Sequence, residues 1–334
     1  MYQQPTSQNP HLTAKTKLFL DELARKKAPP LYTLSYEEAR DVLLGAQTQT
    51  DLPAGLDCDI EDVVLPVSED KSVDVRFYRP KGNRHILPLV VYYHGGGWVM
   101  GNKRTHERLM REICIGTNAA VMFVNYTASP QGQYPDILEE DYAALKHVVE
   151  QAKQYFIDPD KVVVAGDSVG GNMAAVISMM CKERKGPSLK KQVLLYPVTD
   201  AGMDSPSYKA FADGPWLTKK AMEYFWDAYL PDKTKRQDVF ASPINATIEQ
   251  LRGLPPAFVL TDENDVLRDE GEAYADKLMQ AGIPVLAVRY KGTIHDFMML
   301  DGIAQTCPAK AAVAQLIFVL KETFDPESLS NRTK

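Results

Sequence analysis

The chain has 334 residues, 45% apolar and 25% charged, with 38 basic against 44 acidic side chains and a net charge of −6. That length suits one large domain with insertions or two modest ones, and the ordinary composition excludes a disordered, collagen-like or coiled-coil chain. The acidic balance is the opposite of the basic footprint that nucleic-acid binding needs, so no nucleic-acid partner is expected.

The opening MYQQPTSQNPHLTAKTK is polar where a secretory signal needs an apolar stretch. Uninterrupted apolar runs such as AAVAQLIFVL at 311–320 are too short to span a bilayer, so no membrane partner is expected. Cys58, Cys114, Cys181 and Cys307 lie far apart with no CxxC pair, which argues against a zinc knuckle or disulfide framework and suits a reducing, cytoplasmic location. As small buried hydrophobes they need no further role.

Residues 1–50 carry an amphipathic KLFLDELARKK and a second helix opened by Ser35-Tyr36-Glu37-Glu38, a capping box. Next, CDIEDVVLPV and KSVDVRFYRP flank Ser68-Glu69-Asp70 and read as an antiparallel hairpin. The texture then changes. Apolar runs at 86–93, 119–126, 161–166, 191–197, 256–261 and 284–290 are nearly continuous, as in strands buried on both faces. Helical stretches separate most of them, and such alternation implies right-handed crossovers and a mainly parallel sheet sandwiched by helices, an α/β fold. Residues 51–202 and 251–334 form this core. The segment 203–250 stands outside the alternation; in it Thr218 caps KKAMEYFWDAYL, whose Met222, Phe225, Trp226, Tyr229 and Leu230 repeat at helical spacing. Segments 1–50 and 203–250 are assigned to one helical cap over the strand ends.

Two motifs bear chemistry. His94-Gly95-Gly96-Gly97-Trp98 directly follows the strand ILPLVVYY. Three consecutive glycines cost backbone entropy, so they belong where a backbone must approach a ligand closely with its N–H groups turned outward, as an oxyanion hole requires. His94 reads as structural, fixing the loop. Gly166-Asp167-Ser168-Val169-Gly170 stands between the strand KVVVAG and the helix GNMAAVISMM, the strand-turn-helix setting that exposes a nucleophilic serine on a strained turn. Such a serine needs a base, and the base needs an orienting third group. In this architecture the order is serine, acid, histidine. His11, His85, His94, His106 and His147 precede Ser168, which leaves His295 as the base. Of the acids in TDENDVLRDE, Asp269 and Glu270 suit the first turn of the next helix. Asp262, Glu263 and Asp265 remain; Asp265, four residues past the strand end, is preferred, with Asp262 the alternative.

HGGGW, GDSVGGN, NDVLRDE and IHDF, in this order, make the chain resemble the hormone-sensitive-lipase-like family of α/β-hydrolases over roughly residues 86–300. The resemblance implies the α/β-hydrolase fold, a catalytic triad of Ser168, Asp265 and His295, and oxyanion donors on Gly96, Gly97 and Val169, with Gly95 a further participant. It also implies carboxylesterase activity on short to medium acyl esters. Val169 stands where the family usually has alanine, Asp296 where glycine is common, and Thr127-Ala128-Ser129-Pro130-Gln131 replaces an arginine- and glutamate-containing motif, so a supporting ion pair is missing. Trp98, Phe211 and Trp216 are expected to crowd the acyl pocket under the cap. No metal or organic cofactor is expected. An amidase or peptidase with the same triad, or a small-molecule receptor on the fold, are the rival readings; the receptor is disfavoured because His295 is present. Oligomeric state is left open, since no single segment announces a dimer.

Overall fold

The computed structural model describes residues 11–47, 53–68 and 71–327. The centre of the molecule is an eight-stranded sheet made by β1 (Cys58–Pro66), β2 (Ser72–Pro80), β3 (Leu87–Tyr93), β4 (Ala120–Asn125), β5 (Ile157–Asp167), β6 (Lys191–Leu195), β7 (Ala257–Asn264) and β8 (Val285–Ile294). The spatial order is β1-β2-β4-β3-β5-β6-β7-β8. β1 and β2 pair antiparallel, as do β2 and β4, and every other pairing is parallel. The hairpin thus forms as its flanking sequence predicts, although Glu69 and Asp70 of its turn lie outside the described residues.

Helices cover both faces: α1 (Ala14–Arg25), α2 (Tyr36–Ala46), α3 (Glu107–Thr117), α4 (Asp136–Glu150), α5 (Val169–Glu183), α6 (Pro206–Ala210), α7 (Lys219–Tyr229), α8 (Ile248–Leu251), α9 (Arg268–Gln280) and α10 (Cys307–Phe324). The continuous apolar runs have the expected cause. All eight residues of β7 are buried, as are six of the seven in β3. α5 is buried on every side from Val169 to Cys181, which explains why its sequence is apolar all round instead of striped.

The flanking segments meet across a long sequence interval. Ser35 caps α2 through the predicted capping box, and the Thr218 hydroxyl accepts from Ala221 N at the start of α7. The Phe19 ring of α1 lies 5.9 Å from that of Trp216, and Tyr36 lies 4.9 Å from Tyr224. The end of the second segment behaves differently, for Asn172 Nδ2 of α5 donates to the carbonyl of Ala241 and ties that stretch to the core. Sequence separation also concealed a pairing of thiols. Cys58 and Cys114 act on one another, which lowers the first thiol and raises the second. Among the described residues no helix is long and apolar enough to cross a membrane.

Candidate active site

β5 ends at Asp167 and α5 begins at Val169, so Ser168 is the whole turn between them. Its backbone is held at φ 57°, ψ −119°, a conformation that L-residues adopt only when their surroundings impose it. Those surroundings include three hydrogen bonds, Ser168 N to Leu195 O at 2.8 Å, Val198 N to Ser168 O at 3.1 Å and Asn172 N to Ser168 O at 3.2 Å. Strand and helix close tightly here. A Cβ at Gly166 would collide with the Gly170 carbonyl, and one at Gly170 with the Tyr93 carbonyl. Ser168 thereby stands at the N-terminal end of α5, where its hydroxyl makes no capping hydrogen bond.

The two loops that follow β7 and β8 bring Asp265 and His295 to this hydroxyl. His295 Nε2 lies 2.9 Å from Ser168 Oγ, and His295 Nδ1 lies 2.8 Å from Asp265 Oδ2. Leu267 N donates to the other Asp265 oxygen at 3.1 Å, and Asn264 Nδ2 donates to Thr293 O at 2.9 Å, which locks the two loops together. The Nδ1–H tautomer donates to Asp265 and leaves Nε2 to accept from the serine. Burial alone would lower the imidazole, but the charges of Asp265 and then Asp296 override it and raise it to about 9.

Asp262, the alternative acid, is fully buried, and neither of its oxygens has a hydrogen-bond partner among the described residues. Burial first, then the charges of Asp265 and Asp296, push it well above the usual carboxylate range. Asp262, Asp265 and His295 each offer one atom within 4.8 Å of the others, a spacing a metal could use. Two members of that cluster, Asp265 and His295, are already engaged with one another and with Ser168 in a hydrogen-bonded relay.

Across from the serine, the glycine loop runs at φ 114° for Gly96 and 66° for Gly97, which only glycine adopts without strain. A Cβ at Gly97 would strike the Phe225 ring of α7. Gly95 differs from its expected role. Its N–H donates to Asp167 Oδ1 at 3.0 Å and is not free for an oxyanion. The same carboxylate oxygen accepts from Tyr92 Oη at 2.9 Å, and Asp167 Oδ2 lies 3.3 Å from His106 Nε2. Burial alone would raise Asp167, but His106 and these hydrogen bonds hold it below the usual range. The variable position of GxSxG therefore anchors the glycine loop to the serine turn, a role that the motif itself does not signal. His94 Nδ1 lies 2.8 Å from Gly95 O, and burial with His106 nearby pushes the ring down to about 3, which suits a neutral group that fixes the loop.

The cavity over Ser168 measures about 20 Å³ and is bounded by Gly96, Gly97, Met100, Trp216, Met222, Phe225 and their neighbours. Two of the aromatics expected there are elsewhere. Trp98 stacks on Tyr229 at 4.1 Å and tilts against Trp226 at 4.8 Å, inside the aromatic packing of α7. Phe211 is half-buried beneath the Arg268 guanidinium at 5.5 Å. Trp216 does line the cavity, and it also lines an apolar chamber of about 410 Å³ between α1 and α2.

The loop that lacks the family's arginine receives one from α2. Arg40 of α2 donates to Val99 O and Ser129 O, each at 3.2 Å, and to Gln131 Oε1 at 2.7 Å. No local motif announces this, because the donor stands 89 residues before Ser129. Arg40→Ala is expected to cost about 1 to 3 kcal/mol, read as a fall of several degrees in Tm by calorimetry; an unchanged Tm would show that these bonds are solvent-screened.

A family model of the alpha/beta hydrolase fold matches residues 90–299. The chain belongs to the hormone-sensitive-lipase-like family of α/β-hydrolases. Among its relatives in this family is the carboxylesterase NlhH of Mycobacterium tuberculosis, 36% identical over 315 residues, with 92% of this chain and 94% of that protein covered. An ethyl acetate hydrolase of Pseudomonas putida is 32% identical over 306 residues, covering 90% and 94%. The crystal structure of a thermostable esterase from Pseudomonas putida superposes with a TM-score of 0.91 at 43% identity, covering 95% of this chain and 98% of that one. The superposition covers nearly the whole of this α/β-hydrolase, so the two chains share one overall fold.

Proposed function

We propose that this α/β-hydrolase is a serine carboxylesterase that hydrolyses short to medium acyl esters through an acyl-enzyme intermediate. The observation that carries the reading is the 2.9 Å and 2.8 Å pair of contacts from Ser168 through His295 to Asp265, beside a cavity that Gly96 and Gly97 also line. Ser168 Oγ attacks the ester carbonyl as its proton passes to His295 Nε2. The oxyanion is received by the amides of Gly96, Gly97 and Val169, a type of donor worth about 2.7 to 4 kcal/mol each. His295 then protonates the leaving alcohol, and a water deprotonated by the same imidazole releases the acid.

The 20 Å³ cavity holds about one water molecule, so an ester enters only when cap side chains such as Trp216 and Phe225 move aside. A pocket closed by Trp216 ends the gain of ~0.8 kcal/mol per buried methylene early. Initial rates on aryl esters of rising acyl length should peak at about two to six carbons, as that limited gain dictates. Trp216→Ala joins the cavity to the 410 Å³ chamber and should move the peak to longer acyl groups. Equal or better wild-type rates on long-chain triglycerides would overturn the short-acyl reading, and absence of turnover on every aryl ester would overturn the esterase reading itself.

A further inference from the structure

Asp296 has no part in the relay just described, yet it stands on the opposite side of the same imidazole. Its Oδ1 lies 3.4 Å from His295 Nε2, the nitrogen that also faces Ser168 Oγ. Its Oδ2 accepts from the indole N–H of Trp216 at 2.8 Å. The residue is buried and held at φ 68°, a left-handed backbone from which its carboxylate reaches Nε2 of the residue before it. One side chain thus touches the base with one oxygen and the segment covering the site with the other.

Building on the esterase reading, we infer that Asp296 is a positioning residue that clamps His295 from its Nε2 side and that Trp216 ties this clamp to the cap. The physical argument is a change of sign during the reaction. In the resting tautomer, Nε2 offers a lone pair toward Ser168, and a carboxylate beside that lone pair repels it. Once Nε2 takes the serine proton the same carboxylate faces a cation and attracts it. Asp265 does this at Nδ1, and Asp296 adds a second charge at the nitrogen where the proton arrives.

Other groups share the environment. Asp262 near the end of β7 and Asp265 in the loop after it lie beside His295, the charge of Asp167 acts on both His295 and Asp296, that of His106 acts on Asp296, and the Tyr196 ring meets the imidazole edge-on at 5.0 Å from the loop after β6. Burial and the charge of Asp167 raise Asp296 above the usual carboxylate range, against His295, the Trp216 indole and His106, which favour its charged form. The consequence is a base that is stronger than an isolated histidine and is kept protonated, hence idle, further up the pH scale.

The test is the pH dependence of kcat/KM on an aryl acetate for the wild type, Asp296→Asn and Trp216→Phe. Asp296→Asn keeps the side-chain shape and should move the acidic limb to lower pH by about one unit or more, with a lower plateau rate. Trp216→Phe removes the donor that favours the charged carboxylate and should move the limb in the same direction by less. The imidazole ¹H–¹⁵N resonances of His295, identified by their loss in His295→Gln, should titrate with the same shift. If Asp296→Asn does not fold, Asp296→Gly, which suits the positive φ, serves the same titration. A limb and an imidazole titration that stay in place would overturn the clamp, and a change confined to KM would overturn it too by assigning Asp296 to pocket shape alone. An unmoved limb in Trp216→Phe would overturn the tie to the cap. If no ester were turned over the esterase reading would fall, and the imidazole titration would still decide the clamp.

Discussion

Ser168→Ala is expected to lower kcat on an aryl ester by about 10⁵- to 10⁶-fold, because the attacking oxygen is removed while the glycine loop and the pocket remain. His295→Ala should cost about as much, and the double variant little more, since serine and base act as one unit. The fold should survive. Alanine at 168 forfeits one hydrogen bond to His295 and keeps the backbone bonds that hold the turn, so Tm should fall by only a few degrees, about 1 kcal/mol. Residual activity within a hundredfold of the wild type would mean that another group supplies the nucleophile.

The sheet was legible because its strands are buried on both faces. Leu89, Val90 and Val91 in β3, like Val162, Val163 and Val164 in β5, leave no polar side to place in water. The glycine loop and the serine turn were legible because close backbone approach admits few side chains. Beyond them the sequence was mute for a physical reason. Aromatic spacing tells that Trp98, Trp216 and Phe225 are buried, not which of them faces a cavity; that depends on the packing of α7 against the loop after β3, where Trp98 turns to φ 59° and stacks on Tyr229. Asp167, Arg40 and Asp296 went unread for a related reason. Each acts through a partner 72 to 91 residues away in sequence, or through Trp216 at 80, and a contact of that range has no period.

The choice between the two acids at the end of β7 and in the loop after it gives the second large effect. Asp265→Asn should lower kcat by about 10³- to 10⁴-fold, since an amide at Nδ1 can hold the imidazole in the wrong tautomer and offers no charge to the imidazolium. Asp262→Asn should leave kcat within several-fold of the wild type. Asp262 lies within the same cluster but makes no hydrogen bond among the described residues, and its carboxyl is pushed well above the usual range, so asparagine replaces a neutral acid by a neutral amide of the same shape. The two variants should also separate in stability. A carboxyl raised on folding contributes fully below its unfolded value near 3.8 and loses that contribution as pH climbs toward the folded value, by about 1.4 kcal/mol per unit. Asp262→Asn has no such proton to lose. Its unfolding free energy, followed by urea titration from pH 4 upward, should therefore decline less than that of the wild type. A large loss of kcat in Asp262→Asn with little in Asp265→Asn would transfer the orienting role from one acid to the other, because only a charged carboxylate can hold the imidazolium that the first step creates.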